Sequence, residues 1–194
     1  MTLPRRARLE DARAFALASE AWIGRTLARH PPPVLIADGA EVPLRGVPWR
    51  IAASGKARGQ VLCDSETRTL HVPGAPAHLK RRLTDWLKAE AAHDLDLASR
   101  KYALAMGTRI RRISIRDQKS RWGSCSSDGS LSYSWRLIMA PPMVLDYVAA
   151  HEVAHLREMN HSPRFWRLVL THCPAAKPAK AWLKLHGNRL HRAA

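Results

Sequence analysis

Long hydrophobic runs are absent from this chain, and their absence argues against a helical membrane protein. No apolar stretch in the 194 residues reaches the roughly 18 residues that a membrane-spanning helix needs. The opening segment, Met1 to Arg6, also lacks the hydrophobic stretch of a secretory signal. We therefore expect a cytoplasmic protein that has no membrane partner.

Cysteine is scarce, which argues against a fold held together by several disulfide bonds. The three cysteines, Cys63, Cys125 and Cys173, are odd in number and far apart in the chain. Such a pattern suits reduced thiols in a reducing compartment. Cys173 follows His172, but an isolated pair of this kind is a weak metal signal, and we expect Cys173 to pack in the core.

Acidic residues are few, and the resulting positive charge bears on the partners of the protein. The chain has 16 acidic and 32 basic residues, which gives a net charge of +16. A positive field of this size attracts polyanions. One local concentration of cations comprises Arg109, Arg111, Arg112, Arg116, Lys119 and Arg121. Aromatic residues do not alternate with these cations as a base-stacking surface requires, so a solvated basic face is expected first and nucleic acid stays open as a partner.

The most informative motif is His151-Glu152-Val153-Ala154-His155, followed by His161. Residues four apart lie on the same face of a helix, so His151 and His155 can bind one metal ion. Glu152 lies about 100° round the helix, beside the open coordination position. That is the position of a general base in a metal-dependent hydrolase.

His161 can join the other two histidines only if the helix ends between them. An unbroken helix would carry it about 9 Å further along the axis and onto another face. We expect Asn160 to close the helix in the left-handed conformation, and Ser162-Pro163 to be the N-cap and first residue of a new helix. Three imidazoles with an open fourth position are typical of a catalytic zinc site.

The remaining pattern predicts an α+β fold in one domain, residues 1–194. Five helices are predicted. Two span residues 9–30 and 76–107, one begins at Pro141-Pro142 and contains the histidine motif, one begins at Pro163, and one spans residues 177–191. Short strands are predicted at residues 34–36, 41–44, 48–52, 60–62 and 69–72, with two more at about 108–116 and 130–137. We expect a helix and antiparallel strand meander (1–75), a long helix (76–107) and a catalytic core (108–192) in which the sheet packs on the histidine helix. Asp128-Gly129 predicts a hairpin turn.

Residues around the motif supply a predicted substrate cleft. We expect the strand at residues 131–135 to lie at the cleft rim and to pair with an extended substrate. The residues predicted to bind substrate are Leu131, Tyr133, Trp135, Arg136 and Tyr147. The sequence does not select among Tyr147, Arg136 and His172 as an oxyanion-stabilising group. Asp146 and Glu158 are expected to be solvated, with orientation of a ligand imidazole as the alternative.

Several motifs together resemble the YgjP-like metallopeptidase family, which is related to the SprT and WLM zinc peptidases. The resemblance is densest at residues 116–169 and rests on Ser-Arg-Trp-Gly-Ser-Cys-Ser at 120–126, Trp135-Arg136-Leu137, Ala140-Pro141, Val144 to Val148, the histidine motif, Asn160-His161-Ser162 and Phe165-Trp166. It implies a zincin-like fold with one Zn²⁺ ion on His151, His155 and His161, and Glu152 as the catalytic glutamate.

The chain also departs from the family pattern at two places. Ser134 stands where family members commonly have Asn. The chain begins within what resembles an early Leu-Pro element of the family, here Leu3-Pro4, and we expect an N-terminal strand to precede it in the complete protein.

The sequence and the resemblance together predict a zinc-dependent metallopeptidase that cleaves a peptide or protein substrate. Two alternatives stay open. The same ligands could serve a metal-dependent nucleotide or phosphoester hydrolase, which the positive charge would suit, or the chain could be a nucleic-acid-associated protease module. The sequence does not indicate an oligomeric state.

Overall fold

A computed structural model describes residues 8–22, 24, 32–118 and 120–193. The chain divides into two compact units, residues 1–32 and 33–194, and each is described by itself. One domain across residues 1–194 therefore stays a prediction. Among the described residues, no helix is both long enough and apolar enough to cross a membrane.

The first unit contains helix α1, Leu9–Ala18. Glu10 and Asp11 lie in its first turn, where negative charge favours the helix dipole. The predicted helix at residues 9–30 is interrupted at Ser19, which is the C-cap of α1. Residues 20–22 and 24 are helical again, and the rest of that prediction lies outside the described residues.

The second unit begins with a four-stranded sheet. Its strands are β1 (Glu41–Leu44), β2 (Val47–Ala53), β3 (Leu62–Asp64) and β4 (Thr69–Val72), in the order β1-β2-β4-β3. The predicted antiparallel meander is wrong in one respect, because β2 and β4 are parallel. Burial explains this arrangement, since β4 has the fully buried Leu70, whereas Leu62 of β3 is 57% exposed and suits an edge. The predicted strand at residues 34–36 is irregular.

A long helix follows this sheet, as predicted. A 3₁₀ turn, Pro76–His78, leads into α2, Leu79–Met106. The helix ends at Gly107, whose φ of 63° is the left-handed conformation that glycine adopts without strain. Its buried face includes Leu83, Leu87, Ala91, Leu95 and Tyr102.

A second sheet lies next to the histidine helix. It has three strands, β5 (Arg112–Arg116), β6 (Gly123–Cys125) and β7 (Ser130–Ser134), in the order β5-β7-β6. The predicted turn at Asp128-Gly129 is confirmed, since it connects the antiparallel strands β6 and β7, and Gly129 has φ 84°. β5 and β7 are parallel, so this sheet is mixed where an antiparallel one was predicted. Strand β6 was missed because its three residues, Gly-Ser-Cys, carry no strand pattern.

The pairing of β7 contradicts the predicted substrate-binding edge. Strand β7 bonds to β5 along one edge and to β6 along the other. Because both edges are already occupied, an extended peptide cannot add to it. The strand also ends at Ser134, earlier than predicted, where a 3₁₀ segment, Trp135–Met139, begins.

Three helices complete the fold. They are α3 (Pro142–Ala154), α4 (Pro163–His172) and α5 (Ala176–His191). Helix α3 is buried on most sides, and α2, α4, α5 and β6 contact it. The fold is therefore α+β, with the histidine helix in the interior between the long helix and the second sheet.

Candidate metal centre

The three predicted metal-binding histidines meet at the end of α3. His151 lies in its last turn, His155 is its C-cap, and His161 precedes α4. Their candidate ligand nitrogens all lie within 4.8 Å of one another. The Nε2 atoms of His151 and His161 are 3.0 Å apart. The structure thus brings together side chains from a helix and from the turn that follows it.

The chain turns as this convergence requires, although not in every predicted detail. Helix α3 ends at Ala154, between His151 and His161. Ser162 caps α4, because its hydroxyl accepts a hydrogen bond from the backbone N–H of Phe165 at 3.3 Å. The left-handed Asn160 was a wrong prediction, since the only described non-glycine residues with positive φ are Arg45 and Arg68. The main chain closes the helix instead, through a bond from Glu158 N–H to the Ala154 carbonyl.

His155 is oriented by a backbone carbonyl. Its Nδ1 lies 3.1 Å from the carbonyl oxygen of Glu158, and the Phe165 ring stacks on it with the ring centroids 4.5 Å apart. A proton on Nδ1 leaves Nε2 free to bind a metal. The backbone carbonyl of Glu158 therefore orients the ring. The sequence had suggested the Glu158 carboxylate, and not its carbonyl, as a possible orienting group. The Asp146 carboxylate accepts a hydrogen bond from the Tyr102 hydroxyl and forms an ion pair with Lys101 at 3.2 Å. Tyr102 and Lys101 both lie on α2.

His151 and His155 are held in the neutral form that binds metals. Burial, with the neighbouring His155 and His161, lowers the pKa of His151 to about 3. Burial also lowers the pKa of His155. Neutral imidazole is the metal-ligating form of histidine.

The donor set fits one divalent ion such as zinc. Tetrahedral Zn–N bonds of about 2.1 Å place ligand nitrogens roughly 3.4 Å apart, close to the 3.0 Å between His151 and His161. Nδ1 of His151 is buried without a hydrogen-bond partner among the described residues, and Nε2 of the same ring faces His161. Three imidazoles leave one tetrahedral position open, as in catalytic zinc sites.

Glu152 lies in the interior beside this cluster. Glu152 is only 6% exposed. Burial raises the pKa of its carboxyl group to about 7, although the charge of Arg121 lowers it in part. Strand β6 packs against it. A Cβ atom on Gly123 would lie 2.5 Å from Oε1 of Glu152 and 2.6 Å from its Cγ. Sequence reasoning assigned no role to Gly123, which is the residue that makes room for this carboxylate.

All five predicted substrate-binding residues are buried, and four of them lie in β7 and the 3₁₀ segment that follows it. Leu131 and Tyr133 are 0% exposed, Trp135 is 2% exposed and Arg136 is 4% exposed. The hydroxyl of Tyr133 lies 3.0 Å from Ser99 Oγ. Trp135 and Arg136 both donate to Asp117. Direct substrate contact is therefore a wrong prediction for these four residues, because strand β7 and the segment after it are covered by the helices.

Tyr147 and His172 are the remaining candidates for substrate contact or oxyanion stabilisation, and the Cys125 thiol lies near enough to Glu152 to feel its charge. The Tyr147 ring lies at an angle to His151, with centroids 5.8 Å apart, and its substrate contact stays a prediction. Both ring nitrogens of His172 lie near carbonyls, those of Leu168 at 2.9 Å and Ala105 at 3.2 Å, so it is not free to stabilise an oxyanion. Burial, the Glu152 charge and the Asp128 charge raise the pKa of Cys125 to about 11. Cys125 is therefore a protonated thiol and a poor nucleophile at neutral pH.

The basic concentration predicted from sequence is exposed where the structure describes it. Arg109, Arg112, Arg116 and Arg121 are exposed, and Arg111 pairs with Asp128 at 2.6 Å. Lys119 lies outside the described residues. Nucleic-acid binding stays an open alternative for this surface, and a solvated basic face stays the prediction.

Comparison with known proteins gives one match. A family model described as YgjP-like, metallopeptidase domain, matches residues 1–186 of the 194-residue chain. Searches of curated proteins and of solved structures find no significant match.

Proposed function

The chain belongs to the YgjP-like metallopeptidase family, and we propose that it is a zinc-dependent peptidase of zincin-like fold with Glu152 as general base. The observation that carries the proposal is the convergence of His151, His155 and His161 within 4.8 Å at the end of the helix that also bears Glu152. A metallopeptidase family implies a metal ion. The only donor cluster of this kind among the described residues is the histidine triad.

The reaction assigns distinct roles to the histidines and to Glu152. A zinc ion on the three imidazoles would polarise a peptide carbonyl and lower the pKa of a water molecule at the open position. Glu152 accepts a proton of that water on a carboxylate oxygen as the water oxygen adds to the carbonyl carbon. It then passes the proton to the amine nitrogen as the C–N bond breaks. Burial supports both transfers, because it brings the pKa of Glu152 to about 7, where the group can accept and release a proton.

Strand β6 supplies the edge along which a peptide would lie. It is an outer strand of the described three-stranded sheet, with β7 on its inner side. Its residue Gly123 touches the side chain of Glu152. A peptide that extends the sheet at β6 would pass close to this carboxylate. We therefore replace β7 by β6 as the proposed substrate-binding strand.

The proposal is tested by assaying casein and nucleoside triphosphates side by side. We expect the zinc-loaded protein to cleave casein, a chelator to stop cleavage, and added zinc to restore it. Glu152→Gln should keep the metal and lose about a thousandfold in rate. Glu66→Gln, the same change at an exposed residue beside β3, is the matched control and should retain the wild-type rate.

The same assay separates the alternatives. Chelator-sensitive hydrolysis of nucleotides without cleavage of casein would contradict the peptidase proposal and favour a phosphoester hydrolase. DNA affinity that falls steeply with salt would instead characterise a nucleic-acid-associated module. Full casein cleavage by Glu152→Gln would contradict the role of Glu152.

A further inference from the structure

A cleft of about 430 Å³ lies beside the metal centre, and His155 forms part of its wall. The other walls are the hairpin turn between β6 and β7, residues 126–129, and the segment after α3, residues 156, 157 and 159, together with residues 107–109. The cleft therefore adjoins both the reactive centre and the end of the proposed substrate-binding strand. A side chain of a peptide bound along β6 could reach it.

Two arginines line this cleft, and neither pairs with a carboxylate among the described residues. Arg157 donates from Nη1 to the backbone carbonyl of Met106 at 3.0 Å, which fixes its position at the wall. Arg109 makes no side-chain hydrogen bond or ion pair among residues 8–22, 24, 32–118 and 120–193. Their positive charge is thus available to a ligand.

The one acidic side chain in the described wall does not neutralise them. Asp128 pairs with Arg111 at 2.6 Å, and its carboxylate also accepts hydrogen bonds from Ser126 and Ser130. Its charge is already engaged by these neighbours. The hydroxyl-bearing residues Ser126 and Ser127 add polar groups to the cleft without adding negative charge.

A further cation, Lys180, lies near the histidines. The Lys180 ammonium group lies 4.5 Å from the centroid of the Trp166 ring. That ring lies 5.8 Å from the rings of both His151 and His161. The charge of Lys180 contributes to the low pKa of His151, after burial and the neighbouring histidines. Positive charge therefore lies near the histidines at Lys180 as well as in the cleft.

We propose that the cleft beside His155 is a specificity pocket for an acidic side chain of the peptide substrate, held by Arg109 and Arg157. The inference rests on the proposed function in taking a peptide as the ligand. A carboxylate in this cleft would meet two planar guanidinium groups, which bind carboxylates through paired hydrogen bonds. A neutral side chain would gain no such bonds, and a cationic one would be repelled.

Peptide binding measured without cleavage tests this inference. Fluorescent Ala-rich octapeptides, each with a single Glu, Gln or Lys moved through the positions, are titrated against zinc-loaded Glu152→Gln protein by anisotropy. We expect the Glu peptide to bind about 10-fold more tightly than the Gln peptide at one position, and the Lys peptide to bind most weakly. The preference should shrink as ionic strength rises.

Charge-matched variants locate the preference. Arg109→Gln combined with Arg157→Gln should abolish it, and Arg109→Gln alone should reduce it while leaving the Arg157 bond to Met106 intact. Arg50→Gln, which removes the same charge from an exposed position on β2, should leave it unchanged. Circular dichroism confirms that each variant is folded.

The outcomes separate this inference from the proposed function, because the wild-type protein is assayed for cleavage of the same peptides. Cleavage without a Glu preference in binding would overturn the acidic pocket and leave the peptidase standing. A Glu preference that depends on Arg109 and Arg157, but without cleavage, would support the pocket and contradict the peptidase. Equal binding of Glu and Gln peptides at every position would overturn the inference, as would a preference that survives in the double variant.

Discussion

Gly123 and Glu152 approach so closely that a methyl group between them would have no room. A Cβ atom on Gly123 would lie 2.5 Å from Oε1 of Glu152 and 2.8 Å from its Cδ. The glycine belongs to the outer strand β6 and the glutamate to the buried helix α3. The absence of a side chain on the strand therefore sets the position of the carboxylate that we propose as general base.

Gly123→Ala should displace this carboxylate without disturbing the metal ligands. We expect kcat for peptide hydrolysis to fall about 100-fold, while zinc content stays that of the wild type. Gly24→Ala is the matched control, because a Cβ atom there meets nothing within 4 Å. An unchanged kcat in Gly123→Ala would show that strand β6 does not position Glu152.

The stability of the chelator-treated protein should depend on pH through Glu152. Burial raises the pKa of this carboxyl group from 4.5 to about 7, so between these values the unfolded chain has lost a proton that the folded protein retains. The stability contributed by the neutral group is complete below pH 4.5 and is lost as pH rises through about 7. The glutamine side chain of the Glu152→Gln variant cannot ionise, so that variant does not show this loss of stability over this pH range.

Urea denaturation of both chelator-treated proteins across pH measures the effect. Relative to Glu152→Gln, the wild type should lose about 3 kcal/mol of unfolding free energy between pH 4.5 and 8. Protonation of the histidines is common to both proteins and cancels in the difference. Parallel stability curves would contradict the buried carboxyl group.

The cap of α4 should make a measurable contribution to stability. The Ser162 hydroxyl accepts from the backbone N–H of Phe165 at 3.3 Å, and loss of such a cap costs about 1 kcal/mol. Ser162→Ala should lower the free energy of unfolding by that amount, and Ser162→Asp should retain most of it. Ser65→Ala, in an exposed turn, is the control. Equal stability of Ser162→Ala and the wild type would show that the cap contributes nothing.

Tyr147→Phe tests the remaining predicted substrate contact. Burial, followed by the charge of Glu152, raises the pKa of Tyr147 to about 12, so its hydroxyl remains a hydrogen-bond donor at neutral pH. If this donor contacts the reacting carbonyl, kcat should fall about 100-fold with unchanged zinc content, since phenylalanine keeps the ring beside His151. If Tyr147→Phe retained the wild-type kcat, the hydroxyl of Tyr147 would have no catalytic role, and the residue would only pack against His151.

The convergence of the three histidines was predictable from sequence because its geometry is local. The spacing of His151 and His155 follows from the helical repeat. His161 could reach the other two histidines only if the helix ended before it. Ser162-Pro163 predicted the start of the next helix, because serine is a common N-cap and proline a common first helical residue. The structure confirms this path, with α3 ending at Ala154 and α4 starting at Pro163.

The remaining features depend on contacts between distant parts of the chain, which a local pattern does not encode. Strand β6 has only three residues, and its pairing with β7 rather than its composition makes it a strand. The burial of Arg136 depends on Asp117 and on the backbone carbonyl of Ala193. A main-chain carbonyl that orients His155 has no side-chain signature at all. Only the match of the family motif around Gly123 hinted that this glycine had a role.

Zinc content tests the proposed metal site most directly. Elemental analysis of the purified chain should give about one zinc ion per protein molecule for the wild type and for Glu152→Gln, because the three imidazoles alone are proposed to hold the ion. His161→Ala should lose most of it, whereas His93→Ala, on α2 away from the cluster, should retain it. Wild-type protein that binds no zinc after incubation with the metal, or His161→Ala protein that binds it as tightly as the wild type, would contradict the metal centre and the peptidase proposed from it.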